Sequence, residues 1–244
     1  MLEELARYTN SDGQPLALDA KDEDRLVRLC HIASSFEAIY RFGGWLRGNS
    51  LGASRPGATL DELVDAVPSY VVDDIRRQMR LAAHPGPFNC LRQLPAAQRI
   101  CGPVFDGSMD VDGADADFIL DGQLIDCKAT TRPDRMGRTE LYQLAGYLLL
   151  DYHNDYAIKS VGLYLSRQGA LIDWSVADFL GLMGAQLEMP ELRTACQYAL
   201  TNGAAGNPPP PKDQRRQLPR PRSAPPVQDT LRRPALTCRT RSSE

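Results

Sequence analysis

The sequence predicts an α/β fold: extra helices, then a core running helix, three strands, helix, strand. Three stretches carry that expectation. Residues 113–130, GADADFILDGQLIDCKAT, read as a β-hairpin closed at Asp121-Gly122, because a two-residue turn of this kind needs positive φ at both central positions and Asp-Gly accepts it. Residues 139–151 carry Leu141, Leu144, Ala145, Leu148 and Leu149 at helical spacing. Residues 159–166 hold the apolar run VGLYLS, short enough to be a strand.

The remaining elements follow in chain order. Residues 1–20 hold the turn signals Asp12-Gly13 and Pro15. A helix is expected over 21–41, where Leu26, Leu29, Cys30, Ala33, Phe36, Ile39 and Tyr40 recur at steps of three and four, and Gly43-Gly44 ends it. A loop rich in Gly, Arg and Ser covers 43–57. Thr59-Leu-Asp-Glu62 has the capping-box pattern and opens a helix that Pro68 breaks. A second helix over 70–83 carries Arg76, Arg77 and Arg80, a solvated basic strip or a nucleic-acid contact. His84-Pro-Gly-Pro87 ends it, and residues 88–101 read as a short helical or irregular connector. The first strand is placed at 104–111 with a bulge at Gly107. After the hairpin comes a basic loop, Arg132 to Arg138, then a helix with Thr139 as its N-cap. A turn at Arg167-Gln-Gly-Ala170 leads into a strand over 171–176, then helices over 177–188 and 191–200.

This ordering divides the chain into a helical part over 1–100, a core over 101–202 and a tail over 203–244. The tail holds nine of the eighteen prolines and almost no large apolar residues, so it cannot bury enough surface to fold; we expect a disordered basic segment, a candidate contact for a protein partner. With nine Lys/Arg against three Asp/Glu the tail carries +6, which leaves −9 for the rest of a chain whose total is −3. So acidic a body speaks against strong non-specific DNA affinity of the body alone. It does not speak against a metal site, whose own carboxylates enter that count. No run of eighteen apolar residues suggests a membrane span, and the N-terminus lacks the apolar stretch of a secretory signal. Cys30, Cys90, Cys101, Cys127, Cys196 and Cys238 show neither CxxC nor zinc spacing, so reduced thiols in a cytoplasmic protein are expected.

The hairpin concentrates the chemistry. Counting outward from Asp121-Gly122 sets Leu120 against Gln123, Ile119 against Leu124, Phe118 against Ile125, Asp117 against Asp126, Ala116 against Cys127 and Asp115 against Lys128. Alternation then puts Asp115, Asp117, Asp126 and Lys128 on one face with Ile119 and Leu124, and Phe118, Leu120, Ile125, Ala116, Cys127 and Gln123 on the other. Two carboxylates roughly 5 Å apart repel by about 3 kcal/mol at an effective dielectric of about 20. Lys128 offsets part of this; a hard divalent cation such as Mg²⁺ would offset more. The plain alternative is a solvated polar face on which Lys128 pairs with an aspartate.

Asp117, a short hairpin and then Asp126-Cys127-Lys128 resemble the core motif of the PD-(D/E)xK nuclease superfamily, with Ala116-Asp117 where that motif has Pro-Asp. Gln143-Leu-Ala-Gly-Tyr147, on the next helix, resembles the Q-x-x-x-Y motif of its exonuclease-like branch. The resemblance covers residues 100–175 and implies a restriction-endonuclease-like αβββαβ core with a mixed sheet. It further implies Mg²⁺, with Mn²⁺ able to substitute, held by Asp117, Asp126 and the backbone carbonyl of Cys127. Glu37, on the helix ahead of the sheet, is the acid it would add; an i,i+4 pair with Arg41 is the other reading of that residue. Lys128 would orient or deprotonate the attacking water and stabilise developing charge, while Gln143 and Tyr147 position water or substrate. Asp115, on the same face, is an outer ligand or merely keeps the pocket acidic. Arg132, Arg135 and Arg138 read as phosphate contacts or as a solvated loop. The implied activity is metal-dependent phosphodiester hydrolysis, of DNA first, with RNA left open. The alternatives are a catalytically inactive nucleic-acid-binding or assembly module with the same fold, and a small acidic partner-binding protein that uses its tail.

Overall fold

The computed structural model describes residues 1–8, 18–42, 49, 51–52, 54, 57–83, 94–135 and 137–203. The expected stop at Gly43-Gly44, His84 and the tail beyond Gly203 lie outside the described residues. The chain divides into two compact units between Leu81 and Ala82.

The N-terminal unit holds α1 (Leu2–Leu5), α2 (Ala20–Phe42), α3 (Leu60–Ala66) and most of α4 (Ser69–Ala83). Leu29, Ile32, Leu51, Val64, Val67 and Val72 form its core. The capping box is made as the sequence predicts: the Glu62 N–H donates to Thr59 Oγ1 at 3.2 Å, and the Thr59 N–H donates to Glu62 Oε2 at 2.7 Å. Of the basic strip on α4, Arg76 is engaged within the unit; its guanidinium donates to the Ala20 carbonyl at 2.9 Å and lies 3.7 Å from Asp24.

The second unit is built on a five-stranded sheet: β1 (Arg99–Cys101), β2 (Phe118–Leu120), β3 (Gln123–Lys128), β4 (Ser160–Leu165) and β5 (Ala170–Ser175) in that spatial order. Every pairing is antiparallel except β3 with β4, which is parallel. A parallel pair needs a crossover connection, and α5 (Arg138–Leu150) supplies it. α6 (Val176–Met183) and α7 (Met189–Gly203) complete an α/β unit with a mixed sheet. The hairpin register is the one counted from the turn, Phe118 opposite Ile125, Ile119 opposite Leu124 and Leu120 opposite Gln123. Asp121 and Gly122 take φ of 48° and 78°, as the two-residue turn demands. Alternation sorts the faces accordingly. Ile119, Leu124, Val161 and Leu163 are buried in one cluster with Leu144, Tyr147 and Leu148 of α5. Leu120, Ile125 and Tyr164 pack on the opposite side with Phe118, Cys127 and Leu171. Ala116 departs from the count and joins the α5 cluster, because it lies outside the ladder.

The strand expected at 104–111 is not formed. Asp106–Val111 is a 3₁₀ turn, and Val104 makes a single bridge to Asp115. Turn chemistry outweighs the apolar residues here. The Phe105 N–H donates to Ser108 Oγ at 2.9 Å, Ser108 Oγ donates to the Ala114 carbonyl at 2.5 Å, and Asp112 and Gly113 take positive φ. The strand pairing is supplied instead by Arg99–Cys101, part of the expected connector. Thr139 is not the cap of α5; Gly137 is, its N–H donating to Glu140 Oε2 at 2.9 Å.

Gly107 is not a strand bulge but a contact. A Cβ there would stand 2.5 Å from the Tyr152 ring and 2.7 Å from Leu150 Cδ2. Gly107→Ala therefore destabilises by about 1–3 kcal/mol through overpacking, read as a lower melting temperature. An unchanged melting temperature rules this contact out as a constraint.

Candidate active site at the end of β3

Asp126 and Lys128 are two apart on β3 and share the face that α5 covers. The Asp126 side chain is 6% exposed, and its Oδ2 lies 2.6 Å from Lys128 Nζ. The contact is a largely buried ion pair. Lys128 Nζ donates to Gln143 Oε1 at 2.8 Å, and Gln143 Nε2 donates to Tyr147 Oη at 2.6 Å. The four-residue spacing on α5 makes that last contact possible. One run of contacts, Asp126–Lys128–Gln143–Tyr147, thus ties strand to helix, and the Tyr147 ring stacks on Phe105 with centroids 5.5 Å apart.

Asp117 enters differently from the counted pairing. β2 begins at Phe118, so Asp117 and Asp126 are not opposed in the ladder, and Asp115 bridges Val104. The Asp117 carbonyl accepts the Gly102 N–H at 2.9 Å, and its Oδ2 accepts the Cys127 N–H at 2.6 Å. The N–H and carbonyl of a strand residue project toward the same neighbour. The Cys127 carbonyl therefore points to the edge where Asp117 stands, past the last rung of β2.

The electrostatics are those of crowded acids around one ammonium. Burial raises the Asp126 carboxyl above its usual range; Lys128 opposes this, and Asp117 and Glu140 add to it. Burial, then the charges of Asp117 and Asp126, push the Cys127 thiol up to about 12, so it stays protonated at neutral pH and contributes its backbone, not a thiolate. Tyr147 is likewise pushed up to about 12, first by burial, against the Gln143 hydrogen bond and with Asp126, Asp117 and Asp115 adding. It remains a phenol and positions its neighbours.

Arg132, Arg135 and Arg138 are exposed and lie between β3 and the first turn of α5. The segment after β3 is braced by Arg167 Nε and Gln168 Nε2, which donate to the carbonyls of Ala129 and Thr130, each at 3.1 Å. Glu37 belongs to the other unit and forms the i,i+4 pair with Arg41, at 2.7 Å. The sheet unit by itself brings together Asp117, Asp126, Lys128, Gln143 and Tyr147.

The sequence reading assigned no role to Glu140 or Phe105. Helical spacing three before Gln143 is the signal for Glu140; Phe105 offers none, since its contact with Tyr147 spans separate elements. A second group, Asp106, His153 and Asp155, brings its ligand atoms within 4.8 Å of one another, all on exposed residues. His153 Nδ1 there lies 2.9 Å from Asp106 Oδ2.

No protein-family model, curated protein or solved structure matches this chain. The functional reading of the site therefore rests on its own geometry. Among the described residues no helix is long and apolar enough to cross a membrane.

Proposed function

We propose that the sheet unit is a metal-dependent nuclease of the PD-(D/E)xK type, hydrolysing phosphodiester bonds in DNA. The observation that carries this reading is the run Asp126–Lys128–Gln143–Tyr147 with Asp117 anchored beside it on Cys127. The connectivity supports it too: three antiparallel strands, a helix, and a fourth strand parallel to the third suit a restriction-endonuclease-like core.

The donor set fits Mg²⁺. It is all oxygen and it has more acids than cations, Asp117, Asp126 and Glu140 standing against Lys128. Mn²⁺ takes the same hard ligands. Asp117, Asp126 and the Cys127 carbonyl are the residues that would hold the ion. When bound, the ion supplies Lewis acidity at the scissile phosphate and lowers the pKa of a bound water. The protein's own part is positional. Gln143 Oε1 fixes the Lys128 ammonium, and Tyr147 fixes the Gln143 amide, so that Lys128 is held ready to orient the attacking water and to donate to the phosphoryl oxygens as their charge grows. Arg132, Arg135 and Arg138 offer planar donors to flanking phosphates.

Cleavage of labelled DNA with Mg²⁺ or Mn²⁺ tests this. Lys128→Ala is expected to lose roughly 100-fold or more in rate, the scale of a positioned proton donor. DNA binding by the wild type without cleavage in either metal would leave the catalytically inactive module as the reading. Full activity in Lys128→Ala would remove the assigned mechanism.

A further inference from the structure

We infer that Glu140 is a third carboxylate of the cation site, reaching the hydration shell of the ion from the start of α5. The inference rests on the metal site proposed above, and it gives that site an acid that neither the β3 stretch nor the Gln143–Tyr147 pair supplies.

As the crossover between parallel β3 and β4, α5 runs back along the sheet from the end of β3 that carries Lys128. Glu140, Gln143 and Tyr147 follow one another at steps of three and four, which keeps them within about 60° of one another around the helix. Burial marks that stripe as the inner one. Tyr147 is buried and Glu140 and Gln143 are half-buried, whereas Arg138, Thr139 and Tyr142 are exposed. Gln143 meets Lys128 and Tyr147 meets Gln143, so the stripe faces the site; Glu140 stands on it nearly one turn closer to the start of the helix. Its carboxylate is held in place. Oε2 accepts the Gly137 N–H at 2.9 Å, which uses one of about four acceptor positions of the group. Its charge acts on Asp126, as that of Asp117 does. The charge balance points to a divalent ion: Asp117 and Asp126 against Lys128 leave −1, and Glu140 makes this −2. A hard ion such as Mg²⁺ keeps several of its waters when bound, and an acid set back from the direct ligands meets the ion through them. Glu37, the acid that the resemblance would add, pairs with Arg41 in the other unit.

The test is titration of the full chain with Mn²⁺ alone, without nucleic acid, by isothermal calorimetry. Glu140→Gln should weaken Mn²⁺ binding about tenfold or more, the scale on which groups around the direct ligands act. Glutamine keeps an oxygen for the Gly137 N–H, so the metal-free melting temperature should be nearly unchanged. If the variant nevertheless starts lower, the rise in melting temperature that Mn²⁺ produces, read in each protein against its own metal-free curve, gives the same comparison. Asp134→Asn removes an equal charge from the exposed turn ahead of α5 and should leave Mn²⁺ affinity nearly unchanged at physiological salt, where solvent screens it. Equal Mn²⁺ affinity in wild type and Glu140→Gln overturns the inference. So do equal losses in Glu140→Gln and Asp134→Asn, which would make Glu140 one diffuse charge among several. A wild type that binds no Mn²⁺ removes the metal site and the role of Glu140 together. Cleavage assayed in parallel separates the two readings: a wild type that cleaves DNA while Glu140→Gln binds Mn²⁺ unchanged retires the Glu140 assignment alone, and Glu140-dependent Mn²⁺ affinity without cleavage retires the hydrolase alone.

Discussion

Asp117→Asn should abolish Mg²⁺-dependent cleavage and at the same time make the metal-free protein more stable. The carboxylate it removes is one of the charges that raise the Asp126 carboxyl, after burial itself and against Lys128. Asparagine keeps an oxygen able to accept the Cys127 N–H, so the contact at 2.6 Å survives. The gain is on the order of 1 kcal/mol, because Lys128 and water already screen the repulsion. For a chain of this size that is a rise of about 2–4 °C in melting temperature. Its pH dependence has a definite sign. A carboxyl whose folded pKa is raised contributes stability while protonated and loses it as pH rises through the folded value. The variant's advantage is therefore smallest below the ordinary aspartate value of 3.8 and grows as pH rises through the raised value of Asp126. Mg²⁺ should raise the wild-type melting temperature by mass action and raise the variant's less. Melting curves of both proteins with and without Mg²⁺ decide the matter. An Asn variant that melts lower, with neither curve moved by Mg²⁺, would mean that Asp117 is structural and that the metal site must be given up.

Arg193→Met should cost about 3–5 kcal/mol, the scale of a buried ion pair deprived of one partner. Arg193 on α7 is buried, and its guanidinium does three things at once. Nε donates to the Leu148 carbonyl at 2.9 Å, Nη1 to Asn154 Oδ1 at 2.7 Å, and Nη2 to Asp151 Oδ2 at 3.0 Å. Asp151 is 1% exposed, so methionine leaves a buried carboxylate without its counter-charge, Oδ1 keeping the Asp155 N–H at 2.9 Å, and takes the Arg193 donor from the Leu148 carbonyl. Lysine should not rescue, since a single ammonium cannot span a fork of three acceptors. Burial already raises the Asp151 carboxyl against the pull of Arg193, and losing Arg193 raises it further. The deficit is thus greatest at neutral pH and shrinks as acid protonates Asp151. Asp151→Leu in the same chain should recover part of the loss, because an apolar pair of similar volume replaces an uncompensated charge. Thermal denaturation of the single and double variants checks this; a single-variant loss below about 1 kcal/mol would show that the three contacts hold no net stability.

What the sequence determines by itself is whatever depends on local stereochemistry. Asp121-Gly122 accepts positive φ at both positions, and a two-residue turn leaves no freedom of register, so the faces of β2 and β3 follow by parity. Thr59 and Glu62 cap α3 for the same kind of reason, and a four-residue step puts Gln143 and Tyr147 within hydrogen-bond reach. Local signals also mislead where two of them compete: Val104, Phe105 and Val111 suggest a strand, but Ser108, Asp112 and Gly113 satisfy the backbone within a 3₁₀ turn. The tertiary structure alone decides how far a ladder extends and which partner each charge meets. β2 begins one residue after Asp117, so that Asp117 binds a backbone N–H instead of opposing Asp126, and Lys128 turns to Asp126 and Gln143. Arg193 finds its three acceptors more than thirty residues back along the chain. Such pairings have no sequence period, because a buried charge takes whichever partner packing brings within about 3 Å, and packing is settled by the whole unit at once.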